Sequence, residues 1–181
     1  MNRKNRSCSM LTGYVQVYTG NGKGKTTAAF GLALRAAGAG MRVFIAQFIK
    51  GMPYSELKAF ERFADLITLR QYGTGCFIFG SPTPEDYEAA RRGLVEIKAI
   101  VTSGSYDVVI LDEINIATHY KLLSVPEVLE IIACRAPGVE LILTGRYADE
   151  RILERADLVT EMLERRHYYQ QGVQARTGIE K

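Results

Sequence analysis

The sequence predicts an α/β fold: a mainly parallel sheet of five to six strands with helices packed on its faces. Strand-like and helix-like segments alternate from Tyr14 onward, the pattern of β-α units with right-handed crossovers. A glycine-rich segment joins the first strand to the first helix. Residues of unusual chemistry gather in the loops that follow strands, whereas the opposite loops, Ala39-Gly40-Met41 and Ala136-Pro137-Gly138, read as simple turns. Ligands of parallel sheets bind beyond the carboxyl ends of the strands, so this asymmetry locates the site.

Each element has a local reason. Tyr14–Thr19, Arg42–Phe48, Leu66–Arg70, Asp107–Asp112 and Val139–Thr144 are short, rich in β-branched residues and bounded by turn formers, which predicts strands. Leu158–Met162 is the sixth and weakest of them. Thr26–Gly38 is Ala-rich and stops at a glycine break, as a helix does. In Thr83-Pro84-Glu85-Asp86 a capping hydroxyl precedes proline and two acids; that order opens a helix, here expected to run to about Ser103, before Gly104. Ser124-Val125-Pro126-Glu127 repeats the capping logic. No repeat, low-complexity run or linker divides the chain. The expectation is one domain over residues 1–181, with a short leader (1–13) and a C-terminal tail (164–181).

Composition excludes several function classes. The 181 residues are 47% hydrophobic, enough to bury a core without disulfide or metal staples. A net charge of +3, from 23 Lys+Arg against 20 Asp+Glu, argues against a protein that coats nucleic acid. The basic-aromatic stretch Glu164 to Gln171 is instead expected to be a solvated terminus or a flap over the site. Cys8, Cys76 and Cys134 form no CxxC pair, and the two histidines, His119 and His167, stand far apart, so no zinc spacing exists. An odd, scattered cysteine set suits the cytoplasm. No run of roughly 18 apolar residues occurs, so no membrane span is expected.

The chemistry centres on Gly20-Asn21-Gly22-Lys23-Gly24-Lys25-Thr26-Thr27. Glycines let a backbone curl until its N–H groups point inward, and the following helix adds positive potential, the requirements of a triphosphate cradle. Lys25 would reach the phosphates as a point charge, and the Thr26 hydroxyl would join a magnesium shell. Thr19 stands where the usual pattern has its first glycine, and Gly20 comes one residue late. The strand VVILDE ends in Asp112 and Glu113, candidate ligands of Mg2+ (or Mn2+) directly or through water. Together these make the fold a three-layer P-loop NTPase, RecA-like or Rossmann-like. No N-K-x-D occurs for guanine, so ATP is the expected nucleotide. The residues alone leave open a small-metabolite kinase, with Glu113 as base, and a RecA-like ATP-switched nucleic-acid binder.

TGNGKGKTTAAFGLALRAAG, QFIKG, VVILDEIN, ELILTGR, ADLVTEM and the closing GIE, in this order, resemble the P-loop ATP:corrinoid adenosyltransferases over nearly the whole chain. The resemblance implies transfer of the 5′-deoxyadenosyl group of ATP to the Co(I) of a reduced corrinoid, with inorganic triphosphate released, in adenosylcobalamin biosynthesis or salvage. It also implies ATP held in reverse relative to kinases, a homodimer, and a flavoprotein reductant. Residue by residue, it places Gly20 to Thr26 on the triphosphate, with Lys25 and Arg35 as the catalytic cations and Thr26 and Glu113 at the metal. Asn115 and Arg146 would border the nucleotide and corrinoid cleft. From the residues alone, Arg35 reads equally as a helix-surface charge, Asn115 as a helix cap and Arg146 as a surface ion pair. Many relatives carry a GFTW segment against the corrinoid, where this chain has Gly73 to Gly80 and no tryptophan. Phe77 and Phe79 are the candidates for that aromatic role, with buried loop residues as the alternative.

Overall fold

The computed structural model describes residues 12–75 and 80–180; Cys8, Cys76, Phe77 and Phe79 lie outside them. Six strands form one sheet: β1 (Val15–Thr19), β2 (Val43–Lys50), β3 (Ile67–Gly75), β4 (Val108–Asp112), β5 (Glu140–Thr144) and β6 (Leu158–Glu161). Their order is β3-β2-β4-β5-β1-β6, and every pairing is parallel. The expected α/β class and parallel sheet are therefore present. With all strands parallel, all their carboxyl ends share one edge.

The three layers follow from side-chain alternation along the strands. Val43, Ile45, Val108, Ile110 and Ile142 pack with Ala29, Phe30, Ala33, Ala36 and Ala37 of α1 (Lys25–Gly38). Small alanines let this helix lie close to the sheet. The alternate positions, among them Val17, Phe44, Phe48, Val109, Leu111 and Leu143, face the other way. There they bury Ile97 and Val101 of α3 (Pro84–Ser103) and Val128 and Ile131 of α5 (Val125–Cys134). Strands β4 and β5 are buried at every residue, as strands covered on both faces must be.

The capping signals act as read. The Asp86 N–H donates to the Thr83 hydroxyl, and the Thr83 N–H returns to the Asp86 carboxylate at 2.9 Å. The Ser124 N–H and hydroxyl both donate to Glu127, each at 2.8 Å. Three short helices fall outside the expected elements: α2 (Ser55–Phe60), α4 (Ile114–His119) and α6 (Glu150–Leu153), the last capped by Asp149, which accepts from the Arg151 N–H at 3.1 Å. At four to six residues, none presents a full amphipathic period to read. Strands β2 and β3 also extend further than their apolar runs, to Lys50 and Gly75. Among the described residues, no helix is long and apolar enough to cross a membrane.

Candidate functional site

The loop after β1 is built against the chain that leaves β6. The Met162 N–H donates to the Thr19 carbonyl at 2.9 Å, and the Gly22 N–H donates to the Met162 carbonyl at 2.6 Å. Gly20, at φ 90°, lies so near this segment that a Cβ would sit 2.5 Å from the Met162 oxygen. Gly20→Ala is thus expected to cost about 2 kcal/mol or more, by positive-φ strain and collision with backbone. Chemical denaturation measures this; an unchanged midpoint would show that the loop is not braced on Met162.

Lys25, only 7% exposed, opens α1 and folds back over the loop. Its ammonium donates to the Gly20 and Gly22 carbonyls, each at 2.7 Å. Burial pushes its pKa below the ordinary lysine value, opposed by Glu113 and Asp112 and reinforced by Arg146. Lys23 is exposed and donates to the Ile179 carbonyl at 3.1 Å, so the tail near GIE lies against the loop. That tail is held by Glu180, which accepts from Tyr168 and Arg176. Asn21 lines a cavity of about 330 Å³ with Glu161, Leu163, Glu164 and Arg165. Thr27 is exposed in the first turn of α1.

Asp112 ends β4 with no solvent exposure, and four donors converge on it. Thr26 and Thr144 hydroxyls reach one oxygen at 2.9 and 2.7 Å. The Lys50 ammonium and the Gln47 amide reach the other at 2.8 and 3.2 Å. Lys50 also lies 3.4 Å from the Thr26 hydroxyl oxygen. Burial disfavours its charge, yet the Asp112 and Glu113 carboxylates outweigh that and raise its pKa above the ordinary value. Glu113 takes φ 60° and its N–H donates to Thr144 at 3.0 Å. Burial and then the adjacent Asp112 charge raise the Glu113 pKa, with Lys50, Lys25 and Arg146 opposing.

This donor set fits a hard divalent cation: a hydroxyl and a carboxylate in direct contact, with a second carboxylate beside them. The ammonium between Asp112 and Thr26 is itself a cation in that position. The sequence places Lys50 in the loop after the second strand without giving it a role, and gives no sign of Gln47 and Thr144 as site residues beyond polar side chains at the ends of otherwise apolar strands.

Asn115 is not the helix cap that its position after a strand suggested. It is the second residue of α4, fully buried, and its amide donates to the Gly145 carbonyl at 3.3 Å. Its Oδ1 is buried without a hydrogen-bond partner. A Cβ on Gly145, at φ 130°, would lie 3.0 Å from the Asn115 Cβ, so this contact sets how the β5–α6 loop turns. The next residue, Arg146, is exposed, and its charge acts on both Lys25 and Glu113. Beyond it Tyr147, at φ 59°, stacks on His119 with ring centroids 4.4 Å apart.

Arg35 is not brought to the loop. It is exposed in the last turn of α1, ten residues from Lys25 and thus about 15 Å along the axis. Its charge is felt instead by the Tyr18 hydroxyl. A helix that starts at a phosphate loop carries its own C-terminus away from it.

Comparison with known proteins finds one consistent relationship. The family model "ATP:corrinoid adenosyltransferase BtuR/CobO/CobP" matches residues 11–180. The chain is 38% identical over 170 residues to the corrinoid adenosyltransferase of Escherichia coli (strain K12), covering 93% of this chain and 85% of that one. It is 36% identical over 170 residues to the corrinoid adenosyltransferase CobA of Salmonella typhimurium, with the same coverages. Identity to the corrinoid adenosyltransferase of Pseudomonas aeruginosa is 34% over 169 residues, covering 93% and 83%.

Proposed function

The chain belongs to the ATP:corrinoid adenosyltransferase family and is an enzyme that adenosylates corrinoids, and from this premise we propose how its residues divide the work. The 5′-deoxyadenosyl group of ATP passes to the Co(I) of a reduced corrinoid: a cobalt–carbon bond forms at C5′, the C5′–oxygen bond breaks, and inorganic triphosphate leaves. Co(I) brings its own electron pair, so no side chain has to be activated as a nucleophile. The described residues fit that economy. Cys134 points its thiol at the Ile131 carbonyl within its own helix, and His119 is stacked on Tyr147.

The protein's task is then to position C5′ and to stabilise a highly charged leaving group away from water. Gly20 to Thr27 cradle the triphosphate; Lys25 exchanges its two loop carbonyls for phosphate oxygens. Thr26 and Asp112, with Glu113 adjacent, would hold Mg2+, which would supply positive charge to offset that of the triphosphate. Arg146, exposed beside Lys25, supplies a further positive charge at the cleft mouth. Asn115 orients the loop that carries Arg146, and Phe77 and Phe79 are the residues proposed for the aromatic role toward the corrinoid. Arg35, displaced along α1, has no part in this arrangement within one chain. Family resemblance supports a homodimer and a flavoprotein reductant; the cysteine pattern supports a cytoplasmic setting.

The observation that carries this reading is the 2.9 Å bond between Thr26 and Asp112, one helical position from Lys25. It joins the phosphate loop to the carboxylate strand, which supports one metal-nucleotide site there. Incubation with Mg-ATP and chemically reduced cobalamin is expected to give a light-sensitive alkylcorrinoid, seen as a spectrum that reverts on illumination. A product stable to light would contradict a cobalt–carbon bond.

A further inference from the structure

Lys50 reaches the phosphate loop only because β2 breaks its own alternation. Val43 and Ile45 face α1, and Phe44, Ala46 and Phe48 face the opposite core. Continued regularly, that alternation would send Lys50 to the side of Phe48. Instead Ile49 takes φ 66°, an outlier for a β-branched residue, and joins the Phe48 side. The register with β3 slips by one residue between Phe48 and Lys50. Lys50 is thereby turned to the side of Gln47, where both reach Asp112.

Two glycines make room for this turn. A Cβ on Gly73 would lie 2.2 Å from the Ile49 carbonyl and 2.6 Å from the Lys50 nitrogen. One on Gly51 would lie 2.4 Å from the Gly73 oxygen. Irregularities of this kind re-aim side chains beside active sites, and held strain points to a role. The aimed ammonium, its side chain 13% exposed, ends 2.8 Å from Asp112 Oδ2 and 3.4 Å from Thr26 Oγ1. These two residues are the protein ligands assigned above to the metal.

We propose that Lys50 is an intramolecular cation that holds the metal position of the phosphate loop closed until a metal–nucleotide complex displaces its ammonium. The inference rests on the reading of Thr26 and Asp112 as metal ligands. Two cations within about 4 Å of one another in a buried setting repel, so metal and ammonium exclude each other. Free metal would have to expel the ammonium in return for few protein oxygens. A metal carried by triphosphate brings its own phosphate oxygens and offers the released ammonium an anionic partner. Lys50 thus makes metal entry conditional on nucleotide.

Mn2+ uptake by the full-length protein, read by equilibrium dialysis as the Mn2+ in excess on the protein side, without ATP and with ATP equal on both sides, tests this. Wild type and Lys50→Arg are expected to take up Mn2+ appreciably only when ATP is added. Lys50→Met is expected to bind Mn2+ alone at least about tenfold more tightly than wild type, because a unit charge at contact distance is gone. If Lys50→Met does not fold, Lys50→Gln, which keeps a donor toward Asp112, carries the same expectation. Mn2+ affinity unmoved in both variants would show that the ammonium does not compete for the metal position, and that result overturns the proposal. Asp112→Asn separates the two readings. Lost Mn2+ uptake with ATP in Asp112→Asn, alongside unmoved Lys50 variants, would leave the metal site standing and remove the exchange. Wild-type uptake by Asp112→Asn would remove the metal site and the exchange together.

Discussion

Lys25→Ala abolishes adenosyl transfer: kcat/KM is expected to fall by about 10³-fold or more, a loss of about 4 kcal/mol of transition-state stabilisation. The reason lies in what the ammonium faces as the reaction proceeds. Charge accumulates on triphosphate as the C5′–oxygen bond breaks, so a cation fixed on the loop binds the transition state more tightly than ground-state ATP. The loss should therefore appear in kcat as well as KM. Folding should be little affected. Lys25 braces the Gly20 and Gly22 carbonyls, and removing an ordinary hydrogen bond costs about 1 kcal/mol. Far-UV circular dichroism and the denaturation midpoint would check that side. Lys25→Arg should not rescue, because the planar guanidinium is not interchangeable with a compact ammonium in a space closed by two carbonyls at 2.7 Å. Turnover near wild type in Lys25→Ala would remove the lysine from the phosphate site.

Asp112→Ala combines lost activity with the largest expected loss of stability. Asp112 is wholly buried and receives Thr26, Thr144, Gln47 and Lys50. Removing it strands a nearly buried ammonium, and breaking a buried pair from one side costs about 3–5 kcal/mol. Denaturant titration is expected to show a loss of that order. The double variant Asp112→Ala/Lys50→Met should regain most of the stability, since neither charge is then left alone, yet regain no transfer. Recovery of stability without activity separates the structural role of the pair from the chemical role of the carboxylate. If the double variant were no more stable than Asp112→Ala, the ion pair would not be the source of the loss.

Where the sequence was legible, a local pattern coincided with a physical necessity. Tyr14 to Gly38 reads as strand, glycine loop and helix because each piece carries its own signal, and Asp112 reads from four apolar residues ending in acids. The capping residues Thr83, Asp86, Ser124 and Glu127 marked helix starts within a residue. What stayed hidden depends on contacts between segments distant in the chain. Lys50 and Asp112 are 62 residues apart, and Thr144 is 32 beyond Asp112. Their meeting follows from strand order, which no single segment encodes. The turn at Ile49 was hidden for another reason: β-branched residues signal extended strand, and here tertiary packing overrides that preference. Arg35 shows the converse. Ten residues past Lys25 looks near in sequence, but in a helix it is about 15 Å away.

ATP is attacked at C5′ rather than at phosphorus, and the phosphorus-containing product decides between the two. In a reaction of Mg-ATP with chemically reduced corrinoid, ³¹P NMR is expected to show the three-phosphorus pattern of inorganic triphosphate, formed in step with the alkylcorrinoid. Accumulation of ADP with a phosphorylated co-substrate, or with orthophosphate in place of triphosphate, would contradict the account.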